Sequence, residues 1–378
     1  MNILCFNPGS GSVRLQRVAV TADDSGTTSV TSDGPAEMID HVKGTDQIVS
    51  AVQERLEQVD PDDVDAVAVR FVHGGADSHL PARRLDDEVL EGYRQITDIA
   101  PLHLEADIAV AEAALGRLDK PVYAVFDTTF HRTLPETAWR YPLPYDLGTR
   151  YRRYGFHGLA HESVAVAYRN RVGKAHSRRL LSLHFGGGAS ACSIVEGQSI
   201  ATTMGYTPLD GLMMSTRTGS IDPAIVLALL RGGRSVDQVD HLLNHESGLL
   251  GVSEISEDTR DLQPAAAEGH RKAELAMELY AERVHATVGA QYVRMGGCDA
   301  VLLSGNLVKE SPSFRRRLLG GLEVLGMQLS EQRNAVEGEL QQITRLSSDA
   351  SQVALAYAPA EEELQMARMV ATARSHPG

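Results

Sequence analysis

Along the chain, runs of buried-type apolar residues alternate with stretches of helical period. "DAVAVRFVH" (65–73), "KPVYAVFDTTF" (120–130), "RRLLSLHFG" (178–186) and "CDAVLLSGN" (298–306) predict buried strands. Helical spacing predicts helices over 46–58, 103–115, 160–170, 222–231, 271–295, 313–325 and 360–374. Ser220 or Asp222 is placed to cap the helix that carries Pro223 in its first turn. Strands alternating with helices in this way predict an α/β fold.

One pattern occurs twice. "ILCFNPGSGSVRLQRVAV" near the start is an apolar strand, a small-residue turn and an alternating strand; "LLSLHFGGGASACSIVEG" repeats that shape half a chain later. Two such units predict a duplicated fold, each unit opening a domain, with a cleft between the halves. Glycines in a strand mark a bend or a close backbone approach. Turns of small residues also let backbone N–H groups converge on an anion. The turns alone leave two readings open, phosphate-binding turns or ordinary hairpins.

Composition narrows the function. The chain has 378 residues, 43% of them hydrophobic, enough for two cores. Its formal net charge of -14 excludes general binding to nucleic acid or to anionic membranes. An anionic ligand would need a local cluster of arginines. No segment approaches about 18 uninterrupted apolar residues, so no membrane span is expected. The start "MNILCFNPGS" reads as a strand and not as a signal peptide. Cys5, Cys192 and Cys298 lie apart in apolar runs, which predicts reduced core thiols and a cytoplasmic protein.

Longer strings carry more information. "VRFVHGG", "APLH", "AVFDTTFHRTLPETAWRYPLP", "RRYGFHGLAHESV", "MGYTPLDGLMMSTRTGSIDPAI", "SGLLGVSEISEDTRDL" and "EEELQMAR" stand in this order. With them the chain resembles the acetate kinase family over nearly its whole length. The resemblance implies two RNase H-like domains around a central cleft, as in actin-like ATPases. It places the first domain at 1–127 with about 363–378, and the second, with the donor loops and dimer contacts, at 128–362. It also implies a homodimer, Mg²⁺ (or Mn²⁺ in its place), and phosphoryl transfer between a donor and acetate or a similar short carboxylate.

The resemblance assigns roles residue by residue. Arg70 and Arg217 match the active-site arginines, and a guanidinium fork suits two-point contact with carboxylate or phosphoryl oxygens. Asp127, at the end of a predicted strand, matches an aspartate near the metal and the reacting carboxylate. His157 and His184 match histidines at the transferred phosphoryl group, where a ring N–H can donate. A zinc site at His157 and His161 is the alternative, but "HGLAHE" lacks the glutamate of a zinc hydrolase motif. Val72, Leu102, Phe156 and Pro208 match the acid pocket, and all four keep the acetate-type residue. Asn7, Ser10, Ser12 and Arg14 match the first phosphate turn, Gly186, Gly187 and Gly188 the second. Asp258, Arg260, Gly305 and Asn306 match donor-binding positions. Asn7 and Glu362 match the metal site; the run of three glutamates leaves a one-residue ambiguity.

The donor side departs from the family. Arg14 stands where the family has lysine, and Gly187 where it has asparagine. "GNLVKES" replaces a glycine-rich nucleoside loop: Gly305 remains, while Asn306, Val308, Lys309 and Glu310 replace Gly, Gly, Glu and Asn. Val308 is β-branched and tolerates positive φ poorly, so the loop takes another path or the nucleoside leaves it. Three readings follow: a nucleotide-dependent kinase with a reshaped donor pocket, a pyrophosphate-dependent one, and a catalytically weak homologue with a binding role.

Overall fold

The computed structural model describes residues 1–9, 12–22, 28–32, 34–40, 44–97, 101–336 and 340–375. The chain divides into two compact units, Met1–Arg132 with Glu361–Gly378, and Thr133–Ala360.

In the first unit, β1 (Asn2–Pro8), β2 (Ser12–Ala22), β3 (Thr28–Ser32), β4 (Glu37–Asp40), β5 (Ala66–Phe71), β6 (Arg83–Arg84) and β7 (Val122–Phe126) build one sheet. The order is β3-β2-β1-β5-β7-β6, with β4 also paired to β2. β1 is antiparallel to β2, whereas β1, β5 and β7 run parallel. Side chains alternate across the sheet. Leu4, Phe6, Val67, Val69 and Phe71 share a core with Ile48 and Val52 of the helix Thr45–Glu57 and Leu104 and Val110 of the helix Pro101–Arg117. From the other face of β1, Cys5 Sγ donates to the Glu363 carbonyl, 3.4 Å away, on the C-terminal helix Glu362–Ser375. A sheet covered on both faces needs apolar residues at consecutive positions, and "ILCF" and "AVAV" supply them.

In the second unit, β8 (Arg179–Phe185), β9 (Ala189–Val195), β10 (Gln198–Thr202), β11 (Ala300–Ser304), β12 (Thr344–Arg345) and β13 (Ala354–Tyr357) form a sheet of order β10-β9-β8-β11-β13-β12. β8 is antiparallel to β9 and parallel to β11, which is parallel to β13. Each sheet is thus three antiparallel strands, then two parallel to the first strand, closed by a short antiparallel edge strand. The repeated strand–turn–strand pattern in the sequence marks the opening of these two like sheets.

The expected α/β class is the class observed. Two elements end well short of where periodicity predicts, beyond the one or two residues by which others differ. The helix expected over 313–325 is Pro312–Leu319, stopped at Gly320 and Gly321 and followed by a 3₁₀ turn, Glu323–Leu325. The strand expected over 120–130 stops at Phe126, and Thr129–Thr133 is a 3₁₀ turn. Of the two candidate caps near 220, Asp222 accepts the Ala224 N–H. All three cysteines are free and buried. No helix among the described residues is long and apolar enough to cross a membrane.

Candidate active site

The parallel strands of the first unit deliver polar groups at their carboxyl ends, where sheets of this kind place ligand-binding residues. Arg70 is the penultimate residue of β5, and Asp127 directly follows β7. Asp127 Oδ2 accepts from Arg70 Nε at 3.0 Å and Nη2 at 2.6 Å, while Arg70 Nη1 donates to the Pro8 carbonyl at the end of β1, 3.0 Å. One guanidinium therefore ties together the ends of three strands. Burial opposes its charge, but Asp127 and then Asp107 outweigh burial and raise its pKa. Burial raises Asp127 above the usual carboxylate range, with Arg70 pulling it back.

Beside this pair lies a second cluster. Asn7 Nδ2 donates to Glu362 Oε2 at 2.7 Å and to Glu363 Oε1 at 2.8 Å. Arg14 reaches the same two carboxylates, Glu362 through Nη2 and Glu363 Oε1 through Nε at 3.0 Å. An ammonium is a single point of charge; the planar fork bridges two carboxylates at once, which gives the arginine at this position a use that lysine lacks. Burial raises Glu363, against the pull of Arg14. The one-residue ambiguity in the glutamate run thus has a structural counterpart: both Glu362 and Glu363 belong to the cluster. In the turn before Ser12, Gly9 N–H donates to the Ser12 carbonyl at 2.7 Å. Ser10 lies outside the described residues, as does the side chain of Leu102. Val72 is buried.

In the second unit, histidines gather near the end of β8. His157 Nδ1 and His161 Nε2 both pair with Ser190 Oγ at 2.8 Å, His161 Nδ1 pairs with Ser182 Oγ at 2.9 Å, and His184 Nδ1 with Ser304 Oγ at 2.9 Å. The rings of His157 and His184 stand edge to face, centroids 4.8 Å apart. Serine hydroxyls fix both orientations. The triple-glycine turn lies against these rings. A Cβ on Gly188 would come within 3.1 Å of His157 Cε1 and one on Gly186 within 3.6 Å of His184 Nε2, whereas a Cβ on Gly187 would meet nothing within 4 Å. A histidine is therefore what comes close at Gly188, and the open position is Gly187. Among the described residues no three metal-ligating side chains gather, so the zinc alternative has no site there.

Arg217 sits in a loop held by backbone bonds from Ser247 N–H to Thr216 O and from Leu249 N–H to Met214 O, both 2.9 Å. Among the described residues its side chain has one hydrogen bond, Nη1 to the Met214 sulfur at 3.9 Å. Burial lowers its pKa, and no carboxylate opposes the shift. Phe156 is buried and Pro208 half-buried. Asp258 caps the helix Thr259–Ala267 and pairs with the exposed Arg260, Oδ2 to Nη2 2.6 Å.

The loop expected to receive the donor has a definite path. Gly305 has φ +93°, and a Cβ there would stand 2.1 Å from the Phe185 carbonyl oxygen. Asn306–Lys309 is a single helical turn, with Asn306 exposed and Val308 wholly buried. Val308 is absent from the residues of positive φ, which removes the objection to a β-branched residue there. The one position that needs glycine has kept it. Arg315, 0% exposed, braces the loop: Nη1 donates to the carbonyls of Val308 (2.8 Å) and Lys309 (3.2 Å), Nε to Asn334 Oδ1 (2.9 Å) and Nη2 to the Asn334 carbonyl (2.8 Å). Sequence reading missed Arg315 and Asp107, whose Oδ2 accepts the Val72 N–H at 2.7 Å.

Comparison with known proteins identifies the family. The Acetokinase family matches residues 5–368. An acetate kinase of Clostridium botulinum (strain 657 / Type Ba4) is 36% identical over 393 residues, covering 97% of this chain and 98% of the relative. Among solved structures, an acetate kinase from Entamoeba histolytica aligns with a TM-score of 0.83 at 28% identity, covering 98% and 99% of the two chains. A propionate kinase from Francisella tularensis subsp. tularensis SCHU S4 aligns with a TM-score of 0.82 at 29% identity, covering 97% and 98%. With matches of this length, the chain belongs to the acetokinase family.

Proposed function

We propose that this protein transfers a phosphoryl group reversibly between a nucleotide and acetate, or a similar short carboxylate, to give acetyl phosphate. The observation that carries this reading is Arg217, a largely buried guanidinium without a carboxylate among the described residues. In a chain of net charge -14, such a group is best satisfied by a bound anion. Its counterpart Arg70 is already aimed by Asp127.

A carboxylate acceptor arrives ionised. Its oxygen forms the new bond to phosphorus while the bond from phosphorus to the leaving phosphate oxygen breaks, and no proton has to be removed. Asp127 therefore serves to aim Arg70 and not as a base. Arg70 and Arg217 hold carboxylate and phosphoryl oxygens, and His157 and His184, oriented by serines, donate to phosphoryl oxygens. Val72, Leu102, Phe156 and Pro208 wall the methyl side. Asn7, Ser10, Ser12 and Arg14, with Gly186 to Gly188, receive donor phosphates.

The cluster of Arg14, Arg70, Asp107, Asp127, Glu362 and Glu363 sets two cations against four carboxylates. That excess of negative charge, without a three-ligand cage among the described residues, fits an ion held by a carboxylate, water and substrate phosphates. Glu362 and Asn7 would hold Mg²⁺, which supplies neutralisation of donor phosphate charge. The donor is a nucleotide recognised chiefly through its phosphates, because the turn Asn306–Lys309 presents an exposed Asn306 in place of a glycine and a lysine in place of a glutamate. Asp258, Arg260, Gly305 and Asn306 flank it.

The working form is a homodimer in the cytoplasm. The helix Pro223–Arg231, "PAIVLALLR", buries none of its residues, and Ile225 and Leu227 are 47% and 49% exposed. An apolar helix in that state needs a cover, and a second copy supplies it. The decisive test is acetyl phosphate formation from acetate and Mg²⁺ with ATP, GTP and pyrophosphate in parallel. Activity with pyrophosphate alone overturns the nucleotide reading; no activity with any donor overturns the function.

A further inference from the structure

Asp107 lies in the helix Pro101–Arg117, only 1% exposed, between Ala106 and Ile108 of the apolar core. A helix position facing a core is filled at least cost by an apolar side chain, and a buried carboxylate is unfavourable unless it is paired. The partners of Asp107 explain its presence. Oδ2 accepts the Val72 N–H at 2.7 Å, and Oδ1 stands 4.0 Å from Arg70 Nη1. β5 ends at Phe71, so Val72 is the first residue past the strand and its N–H needs an acceptor from elsewhere. Arg70 is gripped through Nε and Nη2 by Asp127, which leaves Nη1 on the side of Asp107 and Pro8.

We propose that Asp107 is a positioning residue for the acceptor half of the reaction: one oxygen fixes the backbone of Val72, and so the wall of the acid pocket, while the other restrains Arg70 from behind. This rests on the function proposed above.

The charged groups that bear on Asp107 are few. From β5 comes Arg70 and from the end of β7 comes Asp127; among the described residues no charge on β1 or on the helices Thr45–Glu57 and Asp87–Arg94 contributes. His73, next to Val72, is pushed by burial down to about 4 and is neutral at working pH. Burial pushes Asp107 up to about 7; Arg70 and the Val72 N–H pull the other way, and Asp127 adds to the rise. Its charge therefore titrates in the working range. Below about pH 7 the protonated acid still bonds to Val72 but no longer attracts Arg70. Acceptor turnover should fall on that acid limb.

Stability runs in the opposite sense. The folded-state pKa is raised, so the contribution to stability is full below the unfolded value of 3.8 and is lost as pH rises through about 7.

Asp107→Asn separates the two functions, because an amide oxygen can still accept from Val72 but carries no charge. At pH 8, D107N should lower kcat/KM for acetate by roughly 10–100-fold through misplacement of Arg70, with the donor KM unchanged. It should also abolish the acid limb near pH 7 and flatten the dependence of the urea midpoint on pH between about 4 and 7. Asp107→Ala should in addition relax the preference for acetate over propionate, which D107N keeps. An active wild type with a D107N variant of unchanged kcat/KM and pH profile overturns the role of Asp107 alone. A wild type that makes no acetyl phosphate with any donor overturns the functional reading itself. Should D107N not fold, the wild-type profile decides: an acid limb between about pH 6 and 8 supports the role, and a flat profile there overturns it.

Discussion

Replacing Arg315 with methionine tests whether the donor loop is held by one buried cation. Arg315 lies in the helix Pro312–Leu319 and makes four hydrogen bonds, three to backbone carbonyls and one to Asn334 Oδ1. Burial lowers its pKa, so the charge itself is a cost. Arg315→Met removes that cost and buries a side chain worth about 2 kcal/mol of apolar transfer. Against this, four acceptors lose a charge-assisted donor; three are buried, while the half-buried Lys309 carbonyl also accepts the Leu340 N–H at 3.3 Å. Each unsatisfied buried acceptor costs about 1–3 kcal/mol, so the three cost at least about 3. The expected net loss is at least about 1 kcal/mol, or a fall in Tm of at least about 2 °C for a unit of this size. Urea melts of wild type and R315M at matched pH measure it. Because Val308 and Lys309 close the helical turn of the donor loop, the donor KM should rise severalfold while the acetate KM stays put. A variant within about 0.5 kcal/mol of wild type, with both KM values unchanged, refutes the bracing role, since ordinary surface substitutions fall in that range.

Gly305→Ala should cost about 2–3 kcal/mol and depress donor binding, from left-handed strain of about 1–2 kcal/mol plus a clash with the Phe185 backbone; a melt unchanged from wild type would show that the loop can move aside. Arg217→Ala should lower kcat by about 10²–10³-fold with the fold intact by circular dichroism; near-parental turnover on acetate would remove Arg217 from the site. Val72→Ala should shift preference toward propionate by about 1 kcal/mol, read as the ratio of kcat/KM for the two acids; an unchanged ratio means that Val72 does not meet the methyl group. Ile225→Glu should give a monomer in light scattering at concentrations where wild type is a dimer; an unchanged mass moves the dimer contact elsewhere.

What the sequence made legible were features carried by local strings. The doubled strand–turn–strand pattern marked β1–β2 and β8–β9, and Arg70, Asp127, His157 and Arg217 stand inside long motifs. Residues whose meaning depends on a distant partner stayed hidden. Asp107 in "HLEADIAV" looks like a polar helix position, and only the end of β5 beside it reveals its use. "FRRRL" lies in a predicted helix and nothing local tells its arginines apart, yet the first is wholly buried while Arg316 is half-exposed and paired with Glu331. The helices Asp87–Arg94 and Val236–His245 were not foreseen at all, being short and mostly exposed.

The first unit is made from both ends of the chain. Asn7 and Arg14 come from its opening hairpin, and Glu362 and Glu363, which they grip, are about 350 residues later. On the ribosome, at roughly 5–20 residues per second, the hairpin therefore waits for most of the time of synthesis before its acidic partners emerge. Until then Arg14 lacks both of its carboxylates and the Cys5 face of the sheet lacks its helix. A nascent or prematurely terminated chain therefore has a first unit with one sheet face bare. A chain cut short before Glu362 is left without the helix that covers this sheet face and without both carboxylates that hold Arg14.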